Sequence, residues 1–238
     1  MNQKFYKIIS HRGYHGNGII ENTMPAFKKS IKNKLPIELD VYLTKDSKMV
    51  VFHDKTLKRL LGIEKDIEDC TYQELLGYSF LESNDKIPLL SDVLQLVSGS
   101  VPILIEVKRS IHYLKTCEAL LKELETYHGS VQIQSFDFRI VRWFLRKKKY
   151  TTGLLVTPRM DVQATIYRKL VNSYFFVTKF IRPDFVSFDI TGVPCEFVKK
   201  LRKNHIPVNL WTIRNQKQMD IARKYGDFYI AEELGSFH

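Results

Sequence analysis

The sequence predicts an α/β chain of the (β/α)8 TIM-barrel class, with a short hairpin and loop insertion after the second strand. Three observations carry that prediction. Short β-rich runs alternate with helix-patterned segments from end to end, the pattern of parallel strands joined by crossover helices. Nine such runs are present, and one is connected too tightly to its predecessor to be parallel, which leaves eight, the number that closes this barrel. The length of 238 residues suits one such domain. No Pro/Gly/Ser-rich linker, low-complexity tract or internal repeat divides it, so residues 1–238 read as a single barrel domain.

Taken in order, the elements are these. Phe5–Ser10 is the first strand, and Thr23 then caps a helix running to about Lys32, with Pro25 tolerated in the first turn. Ile37–Leu43 is the second strand. Met49–His53 follows across only Thr44-Lys45-Asp46-Ser47-Lys48, far short of the dozen or so residues a parallel crossover needs, so it returns antiparallel as a hairpin arm. A turn centred between Asp46 and Ser47 would bring His53 opposite Asp40. Asp54–Lys86 match no barrel unit, and residues 54–88 read as an insertion over the barrel mouth, where loops build binding surface. Ser91 caps Asp92–Val97, Val101–Val107 is the next strand, and Ile111–Glu125 carries leucines at helical spacing. Val131–Ser135, Gly153–Val156, Phe185–Phe188, Val208–Trp211 and Phe228–Ala231 complete the strands.

Composition narrows the class of partner. A net charge of +11 creates a field that attracts phosphates, anionic lipids or nucleic acid without choosing among them. Arg142, Arg146, Lys147, Lys148 and Lys149 form the densest basic run. It reads as a solvated helix face, with weak attraction to anionic membranes as the alternative; no nucleic-acid-binding motif accompanies it, so no specific nucleic-acid partner is expected. Cys70, Cys117 and Cys195 are odd in number and widely spaced, which fits a reducing compartment. The first residues lack the apolar core of a signal peptide and no run approaches the roughly 18 apolar residues of a membrane span. The expectation is a soluble cytoplasmic protein.

Two buried-looking strands carry charges two residues apart, Glu38 with Asp40 and Glu106 with Lys108, so each pair shares a strand face. Unpaired buried charges cost several kcal/mol. Three carboxylates and an ammonium on one face therefore ask for a divalent cation and an anionic ligand, or else for structural ion pairs of Glu38 and Asp40 with Arg12 and Lys108. His11-Arg12-Gly13 follows the first strand and His53-Asp54 ends the hairpin arm, and barrel strand ends converge on one face. The set suits phosphodiester cleavage. Hard carboxylates favour Mg2+ or Ca2+, Arg12 offers a planar fork and Lys108 a point charge, two histidines divide the proton transfers, and Gly13 lets backbone approach phosphate. Glu21-Asn22-Thr23 reads as bracing for the site. His15, His112, His128, His205 and His238 read as structural.

His-Arg-Gly at 11–13, Glu-Asn-Thr at 21–23 with Ala26-Phe27, Glu-Leu-Asp-Val at 38–41, Thr-Lys-Asp at 44–46, Val-Val-Phe-His-Asp at 50–54, Glu-Val-Lys at 106–108, Gln-Ser-Phe at 134–136 and Leu-Trp-Thr at 210–212 together resemble the glycerophosphodiester phosphodiesterase family. The resemblance runs from about residue 8 to 231. It implies a phospholipase-C-like barrel with one divalent cation, releasing glycerol 3-phosphate and an alcohol from a small glycerophosphodiester. Carried over motif by motif, Glu38, Asp40 and Glu106 would hold metal, His11 and His53 would be the acid/base pair, Arg12 and Lys108 would hold phosphate, and Trp211 would wall the pocket. Attack by the substrate's neighbouring hydroxyl, giving a cyclic phosphate, and direct attack by water both remain open. Two departures stand out: Ser47 replaces the usual turn glycine, and Ala231-Glu232-Glu233-Leu234 replaces a Thr-Asp-x-Pro-like ending. Lysophospholipase D-type cleavage of lysophospholipids is the alternative activity, and would call for an apolar rim from Leu57, Leu60, Leu61 and Ile63. A non-catalytic anion-binding barrel is the alternative from another class.

Overall fold

The structure, a computed structural model, describes residues 7–157, 176–232 and 234–235. The chain forms two compact units, one of Ser10–Val131 and one of Met1–Ile9 with Gln132–His238. The described strands are β1 Ile8–Ser10, β2 Ile37–Leu43, β3 Met49–Val51, β4 Ile103–Val107, β5 Val131–Ser135, β6 Thr151–Val156, β7 Phe185–Asp189, β8 Val208–Ile213 and β9 Phe228–Ala231. All belong to one sheet; β3 is the antiparallel arm, and the other eight give the (β/α)8 barrel. Phe5 and Tyr6 lie outside the described residues.

In the Ser10–Val131 unit, β2 is the organising strand and all seven of its residues are buried. It pairs in parallel with β4, which sets Asp40 directly across from Glu106, and Ser10 of β1 stands across from Ile37. The antiparallel pairing with β3 matches Val41 with Val51 and Leu43 with Met49. Phe52, whose amide donates to the Asp40 carbonyl at 3.0 Å, therefore takes the place expected for His53. The one-residue difference comes from the turn. Thr44 N donates to the Lys48 carbonyl at 2.9 Å, and Ser47 takes a left-handed φ of 61°, so the turn centres on Asp46. The Asp46 carboxylate holds it there, accepting from Thr44 Oγ1 at 2.6 Å and Tyr72 N at 3.0 Å. Since β3 ends at Val51, strict side-chain alternation no longer governs His53.

The inserted residues after His53 build a core of their own. Short helices at Lys58–Leu61 and Tyr72–Leu76, the latter opened by a Thr71/Glu74 capping box, bring Leu57, Leu61, Ile67, Leu75 and Phe80 against Tyr42, Val50 and Phe52 of the hairpin. Leu57 and Leu61 are buried there, and Leu60 and Ile63 lean on the same cluster. Leu57 and Leu61 therefore supply no apolar rim, because their surface closes the insertion, whereas Leu60 and Ile63 stay partly exposed. Val51 N donates to the Pro88 carbonyl at 2.9 Å, tying the insertion's far end to β3.

Helix starts agree with the expected caps in part. Thr23 occupies the N-cap position of the Met24–Lys32 helix, but its hydroxyl donates to the Ile20 carbonyl at 2.7 Å. The next helix, Leu90–Val97, begins one residue before Ser91 with Leu89 at its cap. The helix expected from Ile111 begins at Tyr113.

In the other unit β5 to β9 pair in parallel, each with the next. Val186, Phe188, Phe197, Leu201, Leu210 and Met219 sit in its core. A buried polar chain links three strands: Asn209 Nδ2 donates to Ser187 Oγ at 2.8 Å, and Ser187 Oγ donates to Gln134 Oε1 at 2.6 Å. Arg214 Nε donates to Glu232 just past β9 at 2.8 Å; Glu233 lies outside the described residues.

Candidate active site

The carboxylates of Glu38, Asp40 and Glu106 offer ligand atoms that all lie within 4.8 Å of one another, and all three residues are buried. Strand alternation aims Glu38 and Asp40 to the same side, and the β2/β4 register delivers Glu106 beside Asp40. Lys108, just past β4, lies between the last two: its Nζ sits 2.7 Å from Asp40 Oδ1 and donates to Glu106 Oε1 at 2.6 Å. Burial disfavours the ammonium, but Asp40 and Glu106 outweigh it and raise the Lys108 pKa.

Arg12 enters from the loop after β1. Its backbone amide donates to Glu38 Oε2 at 3.0 Å, its Nη1 donates to Glu21 Oε1 at 2.7 Å, and its Nε stands 3.5 Å from Asp40 Oδ2. Asn22 Nδ2 donates to Asp40 Oδ2 at 2.8 Å. That residue needs a short polar side chain twice over, because it also adopts a left-handed φ of 56° while its amide donates to the Arg12 carbonyl at 2.9 Å.

The carboxylates titrate in opposite directions. Burial, then repulsion from Asp40 and Glu106, raises Glu38 well above the usual range. Burial acts on Asp40 as well, but the charges of Lys108, His53 and Arg12 hold it far below. Glu106 is raised, by burial first, with Lys108 opposing. A cluster in which burial and neighbouring carboxylates raise the proton affinity of Glu38 and Glu106 fits a divalent cation, since the ion relieves both repulsion and desolvation with hard oxygen donors.

His53 Nδ1 lies 2.6 Å from Asp54 Oδ1. Hydrogen bonds from Arg59 and His53 keep the Asp54 carboxyl below its usual range against the pull of burial, so the ionised oxygen accepts and Nδ1 carries the proton. Burial lowers the His53 pKa, with the Asp40 charge opposing. His11 is buried directly after β1, its ring centroid 6.4 Å from that of His15. Gly13 sits at φ 78°, and an added Cβ would meet Ala26 Cβ at 2.9 Å, so the missing side chain seats the following helix.

Seven of the eight expected site residues thus belong to the Ser10–Val131 unit. Trp211 is on β8 of the other unit, edge-on to Phe136 at 5.6 Å between centroids, and its buried Nε1 has no partner among the described residues. The basic run lies on the exposed side of the Phe138–Lys147 helix and just beyond it, the arrangement of a solvated face. Arg59 went unread beside the site, where it donates to both Asp54 and Glu21. No helix among the described residues is long and apolar enough to cross a membrane.

Residues 11–227 match the model of the glycerophosphoryl diester phosphodiesterase family. A glycerophosphodiester phosphodiesterase of Bacillus altitudinis is 32% identical over 225 residues, covering 90% of this chain and 88% of that protein. A human lysophospholipase D is 37% identical over 139 residues, 52% of this chain and 44% of its own. The crystal structure of a glycerophosphodiester phosphodiesterase from Thermotoga maritima superposes with a TM-score of 0.74 at 26% identity, covering 97% of this chain and 96% of that one. The chain belongs to the glycerophosphoryl diester phosphodiesterase family and is a phosphodiesterase by class.

Proposed function

We propose that the chain hydrolyses small water-soluble glycerophosphodiesters to glycerol 3-phosphate and an alcohol, in a divalent-cation-dependent reaction served by two histidines. The observation that carries this reading is the convergence of three buried carboxylates within 4.8 Å, flanked by Arg12 and Lys108. Glu38, Asp40 and Glu106 would hold the cation, Mg2+ or Ca2+, which when bound supplies charge neutralisation for the phosphoryl oxygens. The chain's own groups do the rest. Arg12, with Glu21 fixing one end of its guanidinium, presents a planar donor to the phosphate, and Lys108 adds a point charge. His53, protonated on Nδ1 toward Asp54 and disfavoured as a cation by burial, keeps Nε2 as the acceptor for a proton, so it takes the base role. His11 takes the acid role, protonating the departing alkoxide. Trp211, edge-on to Phe136, would line the pocket.

The burial of Leu57 and Leu61 removes two of the four residues a lysolipid rim would use, which supports the soluble diester as first reading. The test is release of glycerol 3-phosphate from a soluble glycerophosphodiester and from a lysophospholipid, each after exhaustive chelation and again after Mg2+ or Ca2+ is returned. Turnover of the soluble diester only with metal is expected. Full turnover in chelator would overturn the metal role, and preference for the lysolipid would overturn the substrate reading.

A further inference from the structure

Arg59 belongs to the insertion, not to the barrel strands, yet it is the most heavily engaged cation beside the site. Its Nε and Nη2 donate to the two oxygens of Asp54 at 2.5 and 3.1 Å, and its Nη2 and Nη1 donate to the two oxygens of Glu21 at 2.6 and 3.2 Å. Both carboxylates are themselves committed. Asp54 meets His53 Nδ1 at 2.6 Å, and Glu21 Oε1 accepts from Arg12 at 2.7 Å. The guanidinium therefore joins two chains, His53–Asp54–Arg59 and Arg12–Glu21–Arg59, that meet nowhere else in the hydrogen-bond pattern among the described residues.

We propose that Arg59 is a positioning residue: it clamps Asp54 and Glu21 together, and so sets the His53 ring and the Arg12 guanidinium in one fixed relation. The inference rests on the assignment of His53 and Arg12 made above. Geometry makes the requirement specific. Two carboxylates must each be met by two parallel N–H groups, and only a planar fork does this; a lysine in the same place offers one point donor. The site is also poorly suited to a purely structural purpose. The Arg59 side chain is 47% exposed, and ion pairs at that exposure contribute little to stability. Loss of an orienting partner one bond removed from a working group, by contrast, typically costs about 10–100-fold in activity.

Arg59→Ala and Arg59→Lys should each lower kcat about 10–100-fold in the metal-loaded enzyme, with KM changed by less than about 3-fold and the unfolding midpoint within about 2 °C of wild type. Added guanidinium should restore part of the Arg59→Ala rate and none of the Arg59→Lys rate. In 15N-labelled protein the downfield Nδ1–H resonance of His53 should broaden or move toward water exchange in both variants. A kcat within 2-fold of wild type, or a loss of rate that tracks only loss of fold, would overturn the clamp. His53→Ala is the companion control. If it is inactive while the Arg59 variants are normal, the clamp fails and the assignment of His53 stands; if it is active, the assignment itself fails.

Discussion

Glu38→Gln should make the metal-free protein more stable while removing its activity. Gln is nearly isosteric and can still accept from the Arg12 amide that now reaches Glu38 Oε2 at 3.0 Å. What it removes is a charge facing Asp40 and Glu106 across no more than 4.8 Å. At that separation and an effective dielectric near 20, one like-charge pair repels by about 3.5 kcal/mol. Part of this is offset by lost attraction to Arg12, so a net gain of about 2 kcal/mol is expected in chelator. With a urea slope of about 2–3 kcal/mol/M, the midpoint should rise by about 0.7–1 M. The pH dependence carries a sign. Burial and the two neighbouring carboxylates raise the folded-state pKa of Glu38. Its contribution is therefore fully present below the unfolded value of 4.5 and is lost as pH rises through the folded one. The gap between variant and wild type should accordingly be widest at neutral pH and close toward acid. Saturating Mg2+ or Ca2+ should reverse the order, because a ligand at 100 times its Kd adds about 2.7 kcal/mol to wild type and little to a protein missing one donor. A chelated Glu38→Gln protein no more stable than wild type would refute the reasoning.

Other outcomes follow from the same geometry. His53→Ala and His11→Ala should each lower kcat by about two orders of magnitude or more, measured by glycerol 3-phosphate release. Because burial lowers the His53 pKa below 6.5, the acid limb of kcat/KM should also fall below that value; a limb above it would argue against His53 as base. Ser47→Gly should stabilise by about 1 kcal/mol, since Ser47 holds φ 61°, and should raise the thermal midpoint by about 2–4 °C without changing turnover. Gly13→Ala should destabilise by about 2 kcal/mol or more in a urea titration, because the added methyl meets Ala26 Cβ at 2.9 Å from a backbone already at φ 78°.

The barrel elements were legible because strands and helices differ in period, and the hairpin because its connection is too short for a parallel neighbour. β2, β5 and β9 fall on the expected residues. The carboxylate cluster was equally readable, from charges two apart in otherwise apolar strands. The hairpin register was not, because a left-handed Ser47 lets an odd-numbered turn replace an even one, and no local pattern requires a serine to adopt that conformation. Thr23 holds the expected N-cap position, but its hydroxyl bonds backward to Ile20, as a hydroxyl can as readily as forward, and the Leu90–Val97 helix starts one residue ahead of Ser91. Arg59 was hidden because its partner Glu21 lies 38 residues earlier, a separation that carries no periodic signal.

The short strand β3 is built into two assemblies at once. Val51 completes a ladder with Val41, while Val50, next to it, belongs to the same apolar cluster as Leu57, Leu61 and Phe80. The seam of the insertion therefore runs through the hairpin, where Tyr42 joins the same cluster and Asp46 accepts from Tyr72 N, and an exchange of only the loop beyond His53 between relatives would leave part of a hydrophobic interior behind. An exchange that keeps the interior whole must begin upstream of Tyr42, so that donor ridges arrive with the groove that shaped them.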